Sequence, residues 1–288
     1  QGNLAKVQEQ LSTGKQIVKP SDEPNKAALV TRIESEIARQ NSYQETLKSV
    51  NIRLNAEETA LHNVSDVLAR VKELSVQAAN DTLSADDRKS IALEISTLRE
   101  QILSLANTQD SNGNYLFSGG RAAEPAFSKD ASGRVVYQGD QSRMKVKVGD
   151  NRLMNLNLPG SDVFVRVVRK DVQGNPYGVD FFQSLDDLAK AVESADRTSI
   201  QRGVSEVDAL QTGVSQGLGV VGADMTVIDM QNAVLDQVLL QLKTTRSDTE
   251  DLDYTEAASR LNKEQLALEA AQNSFAKISQ LSLFKYLS

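Results

Sequence analysis

The sequence contains no cysteine, no tryptophan and one histidine, His62. Disulfides, thiolate zinc sites and cysteine nucleophiles are therefore excluded, and a lone imidazole gives little support to a histidine metal cluster or a Ser-His-Asp triad. Aromatic residues make up 5% of the chain. That is thin for the core of a globular enzyme, leaves few platforms for sugars, and is ordinary for helix seams built of Leu, Ile, Val and Ala. No run of 18 apolar residues occurs, so no segment reads as a membrane span. The net charge of −7 argues against general binding to nucleic acid or to an anionic membrane, both of which need basic patches. Proline is scarce too. Pro20 and Pro24 stand near the start, and Pro125, Pro159 and Pro176 cluster in the middle.

What remains is enough for a core, with 40% hydrophobic and 25% charged residues. The chain starts at Gln1 within a helical pattern and shows no cleavable secretory signal. This raises the expectation that the natural start, and any targeting segment, lies upstream.

Apolar spacing organises the two ends. Leu4, Val7 and Leu11 end a first helix, with Gly14 as its C′ residue. Pro20 biases Lys19 towards extended backbone. Ser21 or Asp22 is then expected to cap a second helix with Glu23 and Pro24 in its first turn. That helix is uninterrupted by Gly or Pro from Asn25 to Asn80, about 80 Å of rod. Leu47, Val50, Leu54, Leu61, Val64, Leu68, Val71 and Ala78 hold one face, which Ile33 and Ile37 extend backwards. A third helix starts at Ser84, with Asp87 completing a capping box, and Ile91, Ile95, Leu98, Ile102 and Leu105 alternate by four and three. A joint at Asp81–Leu83 makes these two helices antiparallel neighbours.

From Asp110 the period changes. DSNGNYLFSGG spells turn, short strand, turn, and strand-like runs follow at Arg134–Gln138, Met144–Val148 and Val163–Val168, with a turn at Gly139-Asp140. Helical spacing resumes at Phe181–Val192. It continues from Ile200 through Val204, Val207, Val214, Leu218, Val221, Met225, Ile228, Leu235 and Leu239 to Leu242, with Gln211 and Asn232 as polar interruptions. RSDTEDLD (246–253) reads as a joint before a last helix, about 254–287, carrying Leu261, Leu268, Ala271, Phe275 and Ile278. The expected fold class is mainly α with a β-rich insertion: an elongated bundle of long helices from both chain ends plus a small β domain. The expected parts are 1–25 with 254–288 as a terminal coiled-coil layer and its linker, 26–118 with 196–253 as a long-helix rod, and 119–195 as an inserted outer domain.

Motifs that resemble chemistry lose to plainer readings. GLGVVG (Gly217, Gly219, Gly222) matches a dinucleotide-binding loop letter for letter, but that loop needs a strand before it. Here helical sequence precedes it, and Leu218 and Val221 carry the stripe through without a slip. A close helix packing point or a weak spot in a long helix is the better reading. DSNGNY has its glycine fourth and no Glu at twelve, so it reads as an Asn-Gly turn and not a calcium loop. Acid pairs such as Asp86-Asp87, Asp186-Asp187 and Glu57-Glu58 are expected at helix starts or on wet faces. Neither catalytic residues nor a cofactor nor a metal is expected.

Several stretches together resemble the flagellin superfamily. LSTGKQIVKPSDEP from Leu11 to Pro24 is similar to its N-terminal signature. VKELSVQAA from Val71, LSADDR from Leu83, Leu105-Ala-Asn, GNYLFSG from Gly113, YQGD from Tyr137, DYTEA from Asp253 and LSLFKYL from Leu281 follow in order over nearly the whole chain. The Pro-Ser-Asp-Glu-Pro form and the Leu-Phe-Lys-Tyr-Leu ending resemble the hook-associated branch more than filament-forming flagellins. The resemblance implies a non-catalytic, extracellular structural subunit of the bacterial flagellum at the hook–filament junction, exported unfolded through the type III channel. Its implied partners are the first hook-associated protein, flagellin, copies of itself in a ring or helical layer, and an export chaperone on the C-terminal helix, with no nucleic acid and no membrane. The resemblance also implies that Gly14, Lys15, Pro20, Ser21, Asp22 and Pro24 form a spoke between an inner coiled-coil layer and the rod. Leu261, Leu268, Phe275, Ile278 and Leu281 would form the seam that assembles. The alternatives are a short flagellin building the filament itself and a coiled-coil signalling rod; the β insertion speaks against the latter.

Overall fold

The computed structural model describes the backbone of residues 2–80 and 82–286, and side chains as far as residue 278. Among these described residues, seven helices and six short strands follow in the order α1 (Gly2–Thr13), α2 (Pro24–Ala78), α3 (Ala85–Ala106), β1 (Phe127–Lys129), β2 (Val135–Tyr137), β3 (Lys145–Gly149), β4 (Arg152–Asn155), α4 (Gly160–Val163), β5 (Val167–Lys170), β6 (Pro176–Val179), α5 (Phe181–Glu193), α6 (Arg197–Glu250) and α7 (Tyr254–Tyr286). They form two compact units, residues 43–233 and residues 1–42 with 234–288.

In the unit of residues 43–233 the core is the face of α2 marked out by its apolar spacing. Leu47, Val50, Leu54, Leu61, Val64, Leu68 and Val71 are each at most 2% exposed. Each such side chain contributes about 1.5–3 kcal/mol by leaving water, which is what a helix of this length needs to persist. Its neighbours are α6, where Lys72 Nζ meets Asp208 Oδ1 at 2.5 Å, and α3, where Arg70 bonds Glu94. The capping box at Ser84 forms as the sequence predicts: Asp87 N–H donates to Ser84 Oγ, and Asp87 Oδ2 accepts from Ser84 N–H. On α6, Ile200, Val207, Val214, Val221 and Ile228 recur every seven residues and are buried. Glu206 and Gln231, which accepts from Arg152, are buried polar residues there, whereas the expected interruptions Gln211 and Asn232 are only half-buried.

The middle segment is three separate antiparallel hairpins, β1–β2, β3–β4 and β5–β6. Strands β1, β4 and β6 escape the sequence reading because, unlike the Val-Val-Tyr of β2, they lack a run of β-branched residues. The expected strand at Val163–Val168 is corrected: its start closes the short helix α4, and pairing begins at Val167. Two hairpins and the 109–115 turn share one device. Asp110, Asp130 and Asp171 each accept, through Oδ1, the amides two and four residues on. The glycine three residues on takes a positive φ, 81°, 79° and 86° at Gly113, Gly133 and Gly174. D-x-x-G is thus a local signal for all three turns.

Scarce aromatics are concentrated here. Phe117, Phe127, Phe164, Phe181 and Phe182, five of the seven phenylalanines, form one cluster with ring centroids 5.1–6.1 Å apart. Glycines of α6 let this insertion approach. A Cβ on Gly203 would lie 2.6 Å from Leu188 Cδ1, and one on Gly217 would lie 2.9 Å from Val163 Cγ2. Gly219 and Gly222 meet nothing within 4 Å. The GLGVVG run therefore lies inside a helix, with one glycine used for packing and two left as weak points at about 1 kcal/mol each. Arg169 on β5 clamps the hairpin down, bonding Glu206 of α6 through Nε and Nη2 at 2.7 Å each and Asp187 of α5 at 2.5 Å. Asp186 pairs with Arg99. These two acids are ion-paired, not simply solvated. The larger correction is Glu57, expected on a wet face and found fully buried.

In the unit of residues 1–42 and 234–288, Ile33 and Ile37 of α2 pack with Leu239 of α6, flanked by Leu242. The joint expected over 246–253 is shorter: α6 continues to Glu250, leaving Asp251–Asp253 as the connector.

Candidate functional site: the spoke and the terminal helices

Helix α1 stops where its sequence says. Gly14 takes φ 69°, and its N–H donates to Gln10 O at 2.9 Å, a left-handed cap. A side chain there would also collide with Tyr254, since a Cβ would lie 2.7 Å from its hydroxyl. Two independent constraints thus select glycine.

Beyond Gly14 the chain pairs with the α6–α7 connector. Leu252 N–H donates to Gly14 O at 3.0 Å and Gln16 N–H to Glu250 O at 2.7 Å, so Lys15 and Asp251 form an antiparallel bridge. The Lys15 ammonium adds an ion pair to Glu250. Sequence reasoning picked out Gly14 and Lys15 but missed their partners Glu250, Asp251 and Leu252, because nothing local joins positions some 235 residues apart. We refer to this bridge as the clasp. It brings the end of α1 to the start of α7, so the two helices run antiparallel and pack on each other.

The rest of the spoke is a turn. Asp22 N–H donates to Lys19 O at 2.9 Å, with Pro20 and Ser21 as the central residues, so the segment is bent where an extended connector was expected. The expected cap by Ser21 or Asp22 is also corrected. The Asp22 carboxylate accepts from Lys19 N–H and pairs with Lys6 at 3.1 Å, and α2 begins at Pro24, whose missing N–H costs nothing at a first helical position. The Lys6 contact, then the Lys19 amide, hold the Asp22 carboxyl below its ordinary range.

The apolar residues of α7 divide along its length. Ala257 is fully buried, and Leu261 and Leu268 are half-buried. Phe275 and Ile278 are 74% and 65% exposed. The side chain of Leu281 lies outside the described residues. On α1, Val7 and Gln10 are buried. The site therefore offers a helix pair, closed at one end by the clasp, with α7 carrying an uncovered apolar stripe. Among the described residues there is no group of three or more metal-ligating side chains, and no helix is long and apolar enough to cross a membrane.

Comparison with known proteins adds to this geometry. Residues 1–122 match the bacterial flagellin N-terminal helical region and residues 204–287 match the bacterial flagellin C-terminal helical region. The flagellar hook-associated protein 3 of Escherichia coli (strain K12) is 29% identical, across 99% of this chain and 93% of that protein. The protein of the same name from Salmonella typhimurium is 26% identical over the same shares. A solved structure of a putative flagellar hook-associated protein from Vibrio parahaemolyticus superposes with a TM-score of 0.72 at 22% identity, covering 80% of this chain and all of that one.

Proposed function

The chain belongs to the bacterial flagellin family, and on that premise we propose that it is a structural subunit of the flagellum, forming the adaptor layer between hook and filament. The reading has no catalytic step. Its partners are the first hook-associated protein on the hook side, flagellin on the filament side, and further copies of the same chain within the layer. Export through the flagellar type III channel, with a chaperone on the C-terminal helix, belongs to the same reading and places the protein outside the cell.

The observation that carries it is the exposed stripe of α7 beside α1, fixed at its base by the clasp. Phe275 and Ile278 have the spacing of a seam and no cover. Burying such residues against neighbouring subunits supplies association energy, reduced by the cost of ordering the helices. The clasp residues Gly14 and Lys15, with the turn Pro20–Asp22 and Pro24, would hold α1 and α7 together while the pair docks. In this reading 1–25 with 254–288 is the assembling layer, 26–118 with 196–253 is the rod, and 119–195 is an outer domain.

The test is assembly. The protein is mixed with hooks bearing the first hook-associated protein, and separately with filament seeds, and viewed by negative-stain electron microscopy. A short layer on hook ends that then permits flagellin growth is expected. Long filaments of this protein alone would mean a flagellin, and binding to neither would sink the reading.

A further inference from the structure

The α2 seam contains one residue that does not fit its neighbours. Glu57 falls between Leu54 and Leu61 in the three-four alternation and is fully buried. Neither carboxylate oxygen has a hydrogen-bond partner among the described residues. The nearest cation is Arg53, one turn back, with Nε 3.3 Å from Glu57 Oε1 but not aligned for a hydrogen bond. Its other nitrogens are committed elsewhere, to Asp110 Oδ2 at 3.2 Å, Tyr115 O at 3.3 Å and Leu116 O at 2.8 Å. From α6, Asp224 presents a second carboxylate, which opposes ionisation of the first. Arg143, the cation that acts on Asp224, is paired with Asp162 at 2.6 Å. From the loop before α4, the Leu158 amide favours the ionised form of Glu57, as Arg53 does.

A buried carboxylate without aligned donors carries a desolvation cost of several kcal/mol, and a neutral carboxylic acid avoids most of it. Burial outweighs the pull of Arg53 and Leu158, lifting the Glu57 carboxyl from 4.5 to about 8. Burial also raises Asp224. The node joins several elements. Arg53 holds the 109–117 segment, whose Phe117 O accepts from Gly160 N–H at 2.8 Å, and Leu158 lies just before Gly160.

We propose that Glu57 is a proton-linked latch in the seam between α2 and α6: the seam closes around its neutral carboxyl, and loss of that proton loosens the docking of the 109–117 segment and the loop before α4. The direction follows from linkage. The folded state holds a proton that the open state releases, so stabilisation is complete below pH 4.5 and fades as pH climbs to about 8. Across that window the opening equilibrium rises by up to about tenfold per pH unit, and it is level above it.

Two measurements on the whole chain test this. Carbon-detected NMR follows the Glu57 side-chain carboxyl in the native protein, where it should remain neutral at pH 7 and titrate near 8. Hydrogen exchange at the amides of Leu116 and Gly160, corrected for intrinsic base catalysis, should show the rising opening in the native protein and a flat profile in Glu57→Gln. A Glu57 carboxyl that ionises with the exposed glutamates would overturn the latch, as would the same exchange slope in Glu57→Gln. If Glu57→Gln does not fold, the native titration decides by itself.

Discussion

The α2 seam of residues 43–233 and the outer half of α7 carry the same kind of apolar spacing and have opposite fates. Leu61, Val64, Leu68 and Val71 are fully buried, while Phe275 and Ile278 are 74% and 65% exposed. Spacing decides which residues share a face, and the partners present decide whether that face is covered. In α2 the partners are other parts of the same chain. On the outer half of α7, Phe275 and Ile278 stay exposed, so the first seam should govern folding and, in the proposed reading, the second association.

That contrast is sharpest in a pair of substitutions. Leu68→Ala leaves a cavity in a closed core and should cost about 2–5 kcal/mol, read as a lowered midpoint in denaturant unfolding. Arg169→Ala, next in size, leaves Glu206 9% exposed and without its bidentate partner. It should cost about 3 kcal/mol, and hydrogen exchange should show the β5–β6 hairpin opening first. Gly14→Ala forces an unfavourable φ against the Tyr254 hydroxyl and should cost about 1–2 kcal/mol locally, seen as lost protection of the Leu252 amide. Phe275→Ser with Ile278→Ser should move folding stability by no more than about 0.5 kcal/mol per exposed site, with circular dichroism unchanged, yet abolish attachment to hook ends. If the last variant unfolds the protein, or Leu68→Ala leaves it intact, the division between folding seam and association seam is wrong.

Much of the fold was legible. The heptad rows of α2 and α6, the capping box at Ser84 and Asp87, and the stop at Gly14 are local matters of spacing and backbone chemistry. The three D-x-x-G turns are local matters too, although Asp130 and Asp171 lack the Asn-Gly pair that marks Asp110–Tyr115. Glu57 was not legible. Its neighbour Glu58 is solvent-facing, and only the alternation from Leu54 to Leu61 hints that position 57 points inward. The clasp was half legible, since Gly14 and Lys15 stand out but their partners lie at the far end of the chain.

The sequence by itself determined that long helices from both ends would form, where α1 would end, and that the middle would turn to hairpins. Those outcomes rest on periodicity, capping and φ preferences that act within a few residues. Only the tertiary structure decided that Glu57 sits dry among hydrophobic neighbours, that Gly203 and Gly217 admit the insertion, and that the 14–16 segment pairs with 250–252. Each of these depends on which distant segment arrives alongside, and desolvation and close contact exist only after it has arrived.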